Sequence, residues 1–278
     1  MAIFHFAAQV ISRSDGGNAV AAAAYRAGMR FSCARTGLVF NSTRKREVAY
    51  RAILAPQGAA AWVFDRPQLW NQVEAIETRA NSQLAREVEV ALPIELTHAQ
   101  HIALLHGYVN EHFVSLGMVA DIALYAKTGN PHAHIMLTLR DVEAEGFGGK
   151  RRDWNSPALV TRWREAWANA CNAALESAGR VERIDHRSYE RQGVEQIPTI
   201  HLGAAASQME KRGIRTDKGE VNRQIAADNK LLKEIKAEDE DAAPAEPEKT
   251  KPEDDAYLTE SGHILLDYLG LEATVAKH

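Results

Sequence analysis

Two histidines separated by a single residue place the strongest constraint on this chain. His132 and His134 cannot share a face of an α-helix, but side chains two residues apart lie on the same face of a β-strand. The alternation continues, with Met136 and Thr138 on the histidine face and apolar residues on the other face, Ile135, Leu137 and Leu139. A turn sequence at residues 128–131 precedes the pair, so we predict a strand that begins at the histidines. The pair by itself fits a metal site, but it also fits a chance placement on a surface or in a core.

Length and composition indicate one large domain followed by a tail. Of 278 residues, 45% are hydrophobic and 25% are charged, which is sufficient for a domain of about 200 residues or more. Cys33 and Cys171 have neither zinc-site spacing nor a disulfide framework, which favours a reducing compartment. No apolar run reaches the roughly 20 residues of a membrane span, and the N-terminus lacks the pattern of a signal peptide. We therefore predict a cytoplasmic protein.

The net charge of −4 conceals an uneven distribution. Residues 237–255 contain nine acidic and two basic side chains, and residues 256–278 contain three acidic and one basic. Residues 1–236 consequently carry a net charge of +5. A mildly basic body permits binding to phosphates, although many solvated surfaces carry a similar excess.

The residue patterns predict strands that alternate with helices. We expect a buried strand at residues 2–12, an extended segment at 47–54, and strands at 86–92 and 117–125, the last forming a hairpin with the histidine strand. Helices are predicted at 19–29, 66–84, 97–115 and 156–178, a strand or short turn at 183–189, and a polar helix at 208–236. Residues 237–255 have the composition of a disordered linker. Residues 257–271 could form a short helix that docks in a partner groove.

Several polar side chains on these elements are candidates for chemistry, each with a plainer alternative. Tyr25 carries a hydroxyl on an alanine-rich helix, where a tyrosine packed by its ring is the alternative. Glu87 and Glu89 share one face of a strand, and that face could simply meet solvent. The third predicted helix contains four histidines, His98, His101, His106 and His112. We assign them to the surface, because no carboxylate accompanies them as a third metal ligand.

Two basic clusters are candidates for contacts with nucleic acid. Arg44, Lys45 and Arg46 precede an extended segment, and a solvated turn is the alternative for them. A glycine-rich loop is followed by a second basic cluster, Lys150, Arg151 and Arg152, and by Trp154. This combination is suited to a groove that binds single-stranded nucleic acid. An ordinary exposed loop is the alternative for the second cluster.

Taken in order, several motifs resemble those of the MobA/MobL plasmid mobilisation relaxases, a group that includes the relaxase portion of TraA. The similar segments are Met1–Phe6 with Ser12-Arg13-Ser14, Ala24-Tyr25-Arg26, Ala91–Leu96, Gly129–His134 and Arg183–Ser188. The resemblance covers roughly residues 1–215. It implies a relaxase domain over residues 1–215. The residue patterns add a polar helical extension at 216–236, an acidic disordered linker at 237–255 and a short helix or tail at 256–278.

The resemblance implies an α+β fold, a central antiparallel sheet with flanking helices, with a divalent ion, Mg²⁺ or Mn²⁺, bound on the sheet. It assigns Tyr25 as the nucleophile that attacks a phosphodiester at the origin of transfer, giving a 5′-phosphotyrosyl intermediate and a free 3′-hydroxyl. His132 and His134 become metal ligands that help polarise the phosphate. Contacts with DNA are expected from eight basic residues, Arg26, Arg44, Lys45, Arg46, Lys150, Arg151, Arg152 and Arg187.

The chain departs from the family pattern at one ligand position. Where the family has a histidine before the hairpin turn, this sequence has Tyr125, and a neutral phenol with a reference pKa of about 10 is a poorer ligand than imidazole. The departure implies weaker metal binding, a substitute ligand or lost activity. Two substitutes are predicted, His5 and Glu87. The alternative for His5 is a packing or hydrogen-bonding role, and Glu87 could instead act as a base or orient the tyrosine.

Three functions remain open from the sequence. The first is a site- and strand-specific relaxase that nicks origin DNA, single-stranded or locally melted, and rejoins it after conjugative transfer. The second is a non-catalytic origin-binding protein derived from a relaxase, which the departure at Tyr125 favours. The third is a rolling-circle replication initiator, which fits the motifs less well. A relaxase would also be expected to meet accessory relaxosome proteins and a coupling protein in a bacterial cytoplasm.

Overall fold

The computed structural model describes residues 4–200 and 202–241 and divides the chain into two compact units, residues 1–192 and residues 193–278. The predicted domain limits stay predictions. Residues 242–278, which include most of the predicted acidic linker and the whole predicted C-terminal helix, lie outside the described residues.

A five-stranded antiparallel sheet forms the centre of the first unit. Its strand order is β1-β5-β7-β6-β4. The bounds are β1 Phe6–Ser12, β4 Val48–Leu54, β5 Gln83–Ala91, β6 Ala120–Tyr125 and β7 His132–Leu137. Because β6 and β7 are neighbours, the hairpin predicted around the histidine strand is confirmed.

The register brings specific side chains to one face of the sheet. His134 lies opposite Glu89 on β5 and opposite Ala123 on β6. His132 lies opposite Ala91 and Tyr125 in the same two pairings. Directly opposed residues of antiparallel strands project to the same face, so a polar patch forms across the three central strands.

Helices cover both faces of the sheet. The apolar face packs against α3 (His98–His112) and α4 (Pro157–Ser177), whose tryptophans Trp163 and Trp167 join the core. On the histidine face, α1 (Ala19–Ala27) and α2 (Arg66–Ile76) pack over Ala85 and Met136. This arrangement confirms the predicted α+β fold with a central antiparallel sheet and flanking helices.

Smaller elements complete the first unit. Two hairpins lie outside the main sheet, β2 (Arg30–Ser32) with β3 (Val39–Asn41), and β8 (Arg140–Val142) with β9 (Phe147–Lys150). Single 3₁₀ turns occupy Ala61–Phe64, Val114–Leu116 and Arg152–Asn155. The segment predicted as a strand or turn at 183–189 is irregular and leads into α5 (Tyr189–Gln192).

In the second unit, the single helix predicted at 208–236 is wrong. Two helices are present instead, α6 (Gly203–Lys211) and α7 (Asp217–Asp241). Gly213 has a φ of +78°, and the backbone N–H of Ile214 donates to the carbonyl of Met209, which closes α6. Helix α7 extends to Asp241, so the first five residues of the predicted disordered linker are helical.

Two boundaries in the first unit also differ from the prediction. Helix α2 ends at Ile76 rather than at residue 84, because a turn follows in which the N–H of Ser82 donates to the carbonyl of Arg79. Strand β1 begins at Phe6 and lies at the edge of the sheet, so most of its side chains are at least partly exposed rather than buried.

Candidate metal and nicking site

The two histidines are held in matching orientations at the start of β7. The Nδ1 atom of His132 lies 2.8 Å from the carbonyl oxygen of Asn130, and Nδ1 of His134 lies 2.8 Å from Oε1 of Glu87. When each Nδ1–H donates to its oxygen, each Nε2 keeps a free lone pair. Burial lowers the pKa of His132, which keeps this imidazole neutral at pH 7. Both rings are therefore prepared to act as nitrogen ligands.

Glu89 completes a group that could hold a metal ion. One ligand atom from each of Glu89, His132 and His134 lies within 4.8 Å of the other two. Two imidazoles and one carboxylate form a donor set found at divalent-cation sites with open coordination positions. The sequence prediction overlooked Glu89 as a ligand, although its alternation with Glu87 placed both residues on one face. The missing information was the register, which sets Glu89 directly opposite His134.

Glu87 lies beneath this group and is 1% exposed. Its carboxylate accepts hydrogen bonds from Arg26, Gln9 and His134. Burial alone would raise the pKa of Glu87, but the hydrogen bonds from His134 and Arg26 outweigh burial and lower the pKa to about 2. A carboxylate with such a low pKa is a weak base, so its geometry suits orientation of His134 rather than proton transfer.

Tyr125 is engaged by groups other than a metal. Its hydroxyl donates to the carbonyl of Arg26 at 2.7 Å, and its ring stacks on His132 with centroids 4.9 Å apart. Burial raises the pKa of Tyr125 to about 12, which disfavours the phenolate that a metal would require. The contacts thus point to a tether between β6 and the end of α1, and ligation by Tyr125 stays an untested prediction.

Tyr25 projects from the last turn of α1 and is 55% exposed, so the alternative of a tyrosine packed by its ring does not hold. Helix α1 begins where the Asn18 side chain accepts the N–H of Ala21, and it ends at Gly28 with a φ of +60°. Arg26 anchors this last turn to the sheet through Glu87. The Nζ atom of Lys45 lies 3.2 Å from the centroid of the Tyr25 ring.

His5 lies outside the three-residue group. Its carbonyl accepts the N–H of Ala91 at the end of β5, and its side chain is exposed. Continuing the pairing of β1 with β5 by one residue places His5 on the histidine face of the sheet. Strand β5 lies between β1 and β7, however, and so separates His5 from the two histidines. The structure does not bring His5 into the group formed by Glu89 and the two histidines.

The predicted DNA-binding residues fall into two sets. Arg44 and Arg46 are exposed beside Lys45, whereas Arg26 is paired with Glu87. Several others are also engaged with acidic side chains, Lys150 with Glu77, Arg151 with Asp141 and Asp153, and Arg187 with Asp185. Arg152 is exposed.

The second basic cluster lies at the far end of the sheet from the histidines. Lys150 donates to the carbonyl of Gln83 at the start of β5. Glu89 is six residues farther along the same strand, a distance of roughly 20 Å. The two basic clusters that the sequence predicted therefore do not converge on one site.

The helical histidines take other roles. His101 is buried and its Nε2 lies 2.7 Å from the carbonyl of Pro93, while His106 contacts the hydroxyl of Tyr50. Within residues 4–200 and 202–241, none of the four belongs to a potential metal group, although His101 is not the surface residue that was predicted. Across the same residues, every helix is too short or too polar to cross a membrane.

Comparisons with known proteins add to this geometry. A sequence model of the MobA/MobL family matches residues 17–212. Mobilization protein MobL of Acidithiobacillus ferridurans is 40% identical over 247 residues, which cover 76% of this chain and 65% of MobL. Conjugal transfer protein TraA of Rhizobium radiobacter is 36% identical over 266 residues, which cover 82% of this chain but only 24% of TraA. The chain thus spans less than two thirds of the length of either relative.

A solved structure is also similar. It comes from work on the molecular basis of vancomycin resistance transfer in Staphylococcus aureus, and it matches with a TM-score of 0.64 at 32% sequence identity. The match covers 68% of this chain and 100% of the solved chain.

Proposed function

The chain belongs to the MobA/MobL family, and from that premise we propose that it is a DNA relaxase that nicks one strand at a plasmid origin of transfer and rejoins it. The observation that carries the proposal is the juxtaposition of two features. A group suited to a divalent cation, Glu89 with His132 and His134, lies on the face that also receives the helix of the exposed Tyr25.

The proposed reaction is a transesterification at phosphorus. The Tyr25 oxygen attacks the scissile phosphate, the new phosphorus–oxygen bond forms, and the bond from phosphorus to the 3′ oxygen breaks. Because the phosphotyrosine retains the energy of the broken ester, the 3′-hydroxyl can later attack it and restore the strand. A divalent cation, when bound, would polarise a non-bridging phosphate oxygen and hold it for in-line attack.

This chain's residues support that reaction in three ways. Glu87 holds His134 so that Nε2 is available as a ligand. Tyr125 and Arg26 secure the end of α1, which fixes where Tyr25 stands relative to β7. The two imidazoles favour a transition-metal ion such as Mn²⁺ over Mg²⁺, which takes mainly oxygen ligands.

The experiment uses single-stranded oligonucleotides tiled across the DNA that carries the gene. The full chain is incubated with each oligonucleotide and Mn²⁺, and covalent protein–DNA adducts are separated on denaturing gels. We expect an adduct with one or a few oligonucleotides, and we expect the Tyr25→Phe variant to form none. An EDTA control tests the dependence on metal.

The alternative of a non-catalytic origin-binding protein rested on the departure at Tyr125. Glu89 supplies a third donor, so that departure no longer implies an incomplete metal group. Specific binding to one tiled oligonucleotide without any adduct would contradict the relaxase proposal and favour the alternative. Contacts with accessory relaxosome proteins and a coupling protein follow from the proposed function, and copurification from a conjugating strain would test them.

A further inference from the structure

Lys45 occupies an unusual place beside the proposed nucleophile. It lies in the loop between β3 and β4, where its backbone N–H donates to the carbonyl of Ser42, and its side chain is half-buried. Its Nζ lies 3.2 Å from the centroid of the Tyr25 ring and 3.4 Å from the hydroxyl oxygen of Tyr125. The ammonium group is therefore held between two phenols.

The main chain fixes this placement. Gly28 ends α1 in the left-handed region, and a Cβ atom there would lie 3.0 Å from the carbonyl oxygen of Lys45. Such a close approach between the helix end and the loop suits glycine and little else. Lys45 therefore packs against the residue that ends the helix of Tyr25.

The charge of Lys45 is not neutralised by a neighbour. In the part of the chain that the structure describes, no carboxylate pairs with its ammonium group, whereas the partly buried Arg26 and Arg66 pair with Glu87 and Asp121. Holding a half-buried cation without a counter-ion costs free energy. This cost is offset when a negatively charged ligand binds near Lys45 or when negative charge develops on a neighbouring group.

We propose that Lys45 is a catalytic residue of the nicking step, which stabilises the negative charge that develops on Tyr25 and on the phosphate it attacks. The inference rests on the proposed relaxase function. A cation over the face of a neutral phenol gains a modest cation–π attraction, and the attraction grows as the ring acquires phenolate character. Because the gain is larger in the transition state than in the ground state, it accelerates the chemical step.

Lys45 acts without transferring a proton. The phenol proton of Tyr25 passes to solvent, the new bond forms between the tyrosine oxygen and phosphorus, and the electron pair of the broken bond remains on the 3′ oxygen, which takes up a proton. In the rejoining direction, the same ammonium stabilises the phenolate that leaves. A single group thereby serves both directions of the reaction.

The two neighbouring arginines provide matched controls. Each of Lys45→Gln, Arg44→Gln and Arg46→Gln removes one positive charge from the same loop, so non-specific attraction to DNA falls by a similar amount in all three. Oligonucleotide affinity is measured by fluorescence anisotropy, and the adduct-forming rate is measured in single turnovers. We expect Lys45→Gln to slow adduct formation by about 100-fold, with affinity within about threefold of the controls.

A conservative variant separates charge from structure. Lys45→Arg retains the cation and should recover a large part of the rate, with an unchanged melting temperature as a check on folding. A Lys45→Gln rate equal to that of the arginine controls would overturn the inference while leaving the relaxase proposal intact. No adduct from the wild-type chain on any oligonucleotide would overturn both.

A readout independent of nicking uses tetranitromethane, which nitrates phenolate groups. Tyr25 and Tyr189 are 55% and 40% exposed, so Tyr189 serves as an internal reference. Peptide mass spectrometry should show that Lys45→Gln slows nitration of Tyr25 several-fold but leaves that of Tyr189 unchanged. Equal nitration of Tyr25 in both proteins would contradict the inference even if nicking had not been observed.

Discussion

The two ends of the histidine face differ in how their polar groups are used. At the end covered by α1 and α2, Asp121 is 6% exposed and accepts hydrogen bonds from Arg66 and from the indole of Trp70. At the open end, the group formed by Glu89, His132 and His134 is only partly buried. The polar groups of the covered end satisfy one another, whereas those of the open end retain unused ligand atoms.

The difference has a physical origin. A charge enclosed between a sheet and two helices must be paired within the protein, because an unpaired buried charge costs several kcal/mol. Partly exposed imidazoles and carboxylates need no partner within the protein, since water solvates their free lone pairs until a cation displaces the water. We therefore expect substitutions at the covered end to change stability and substitutions at the open end to change metal binding.

The largest effect is expected at the covered end. Asp121→Ala leaves the partly buried Arg66 guanidinium without its buried partner, which should lower the free energy of unfolding by about 3 kcal/mol. Urea denaturation followed by circular dichroism measures this change. Calorimetric titration with Mn²⁺ at low temperature, where the variant is folded, should give an affinity near that of the wild type. A large loss of affinity at unchanged stability would contradict the distinction between the two ends.

The opposite pattern is expected at the open end. Glu89→Gln removes the carboxylate of the candidate metal group, and the Mn²⁺ affinity should fall by about 100-fold, because loss of an outer hydrogen-bonding partner alone costs about 10–100-fold. The free energy of unfolding of the metal-free protein should change by less than about 1 kcal/mol. Glu111→Gln, at an exposed position on α3, serves as the control. Unchanged Mn²⁺ affinity in Glu89→Gln would exclude Glu89 from the site.

A smaller effect with a defined pH dependence is expected at Glu77, which follows α2. Burial raises the pKa of Glu77, but hydrogen bonds from Arg140 and Lys150 outweigh burial, so the pKa in the folded protein lies below its ordinary value. A lowered pKa means that the carboxylate stabilises the fold above about pH 4.5 and loses this contribution as the pH falls through the folded pKa. Glu77→Gln should therefore cost about 1–3 kcal/mol at pH 7, with a smaller difference from wild type in acid.

Measurement of this prediction requires urea unfolding of both proteins between pH 7 and pH 3. The Arg140 and Lys150 contacts are far from the histidines, so Mn²⁺ binding at pH 7 should not change. A stability difference that stayed constant across the pH range would show that the lowered pKa of Glu77 does not contribute to folding.

The smallest effect is expected from Tyr125→Phe. This change keeps the ring that stacks on His132 but removes the hydroxyl that donates to the Arg26 carbonyl, at a cost of about 1 kcal/mol. Mn²⁺ affinity should stay within about twofold, while adduct formation slows several-fold because α1 is less firmly held. A marked loss of affinity would instead support the prediction that Tyr125 is a ligand, and a gain in Tyr125→His would place that position within reach of the metal.

Local patterns predicted much of this protein because local geometry decides them. The strand that begins at His132, the hairpin with residues 117–125 and the helix predicted to begin at residue 97 all follow from side-chain period and capping chemistry. All three are present, and the Thr97 side chain caps the helix by accepting the N–H of Gln100. The family resemblance and the antiparallel α+β fold are confirmed as well. Errors arose where a turn had no strong signal, as at the end of α2, or where a glycine divided a polar helical segment.

The candidate site shows the limit of local reasoning more clearly. The two-residue period of a strand placed Glu87 and Glu89 on one face. No local pattern says which of them lies opposite His134 and which accepts the hydrogen bond from its Nδ1. The consecutive basic residues Lys150, Arg151 and Arg152 were predicted from the sequence to contact nucleic acid. In the structure, Lys150 and Arg151 are paired with carboxylates.

By itself, the sequence determined that His132 and His134 share one face of a strand and that Tyr25 belongs to a helix, because side-chain periodicity acts over a few residues. Only the tertiary structure decided that Glu89 is the third member of the group, that Glu87 supports His134, and that Tyr125 and Lys45 meet the end of the helix that carries Tyr25. Those relations join residues from about 20 to about 100 positions apart, and they depend on strand register and helix packing, which no local pattern specifies.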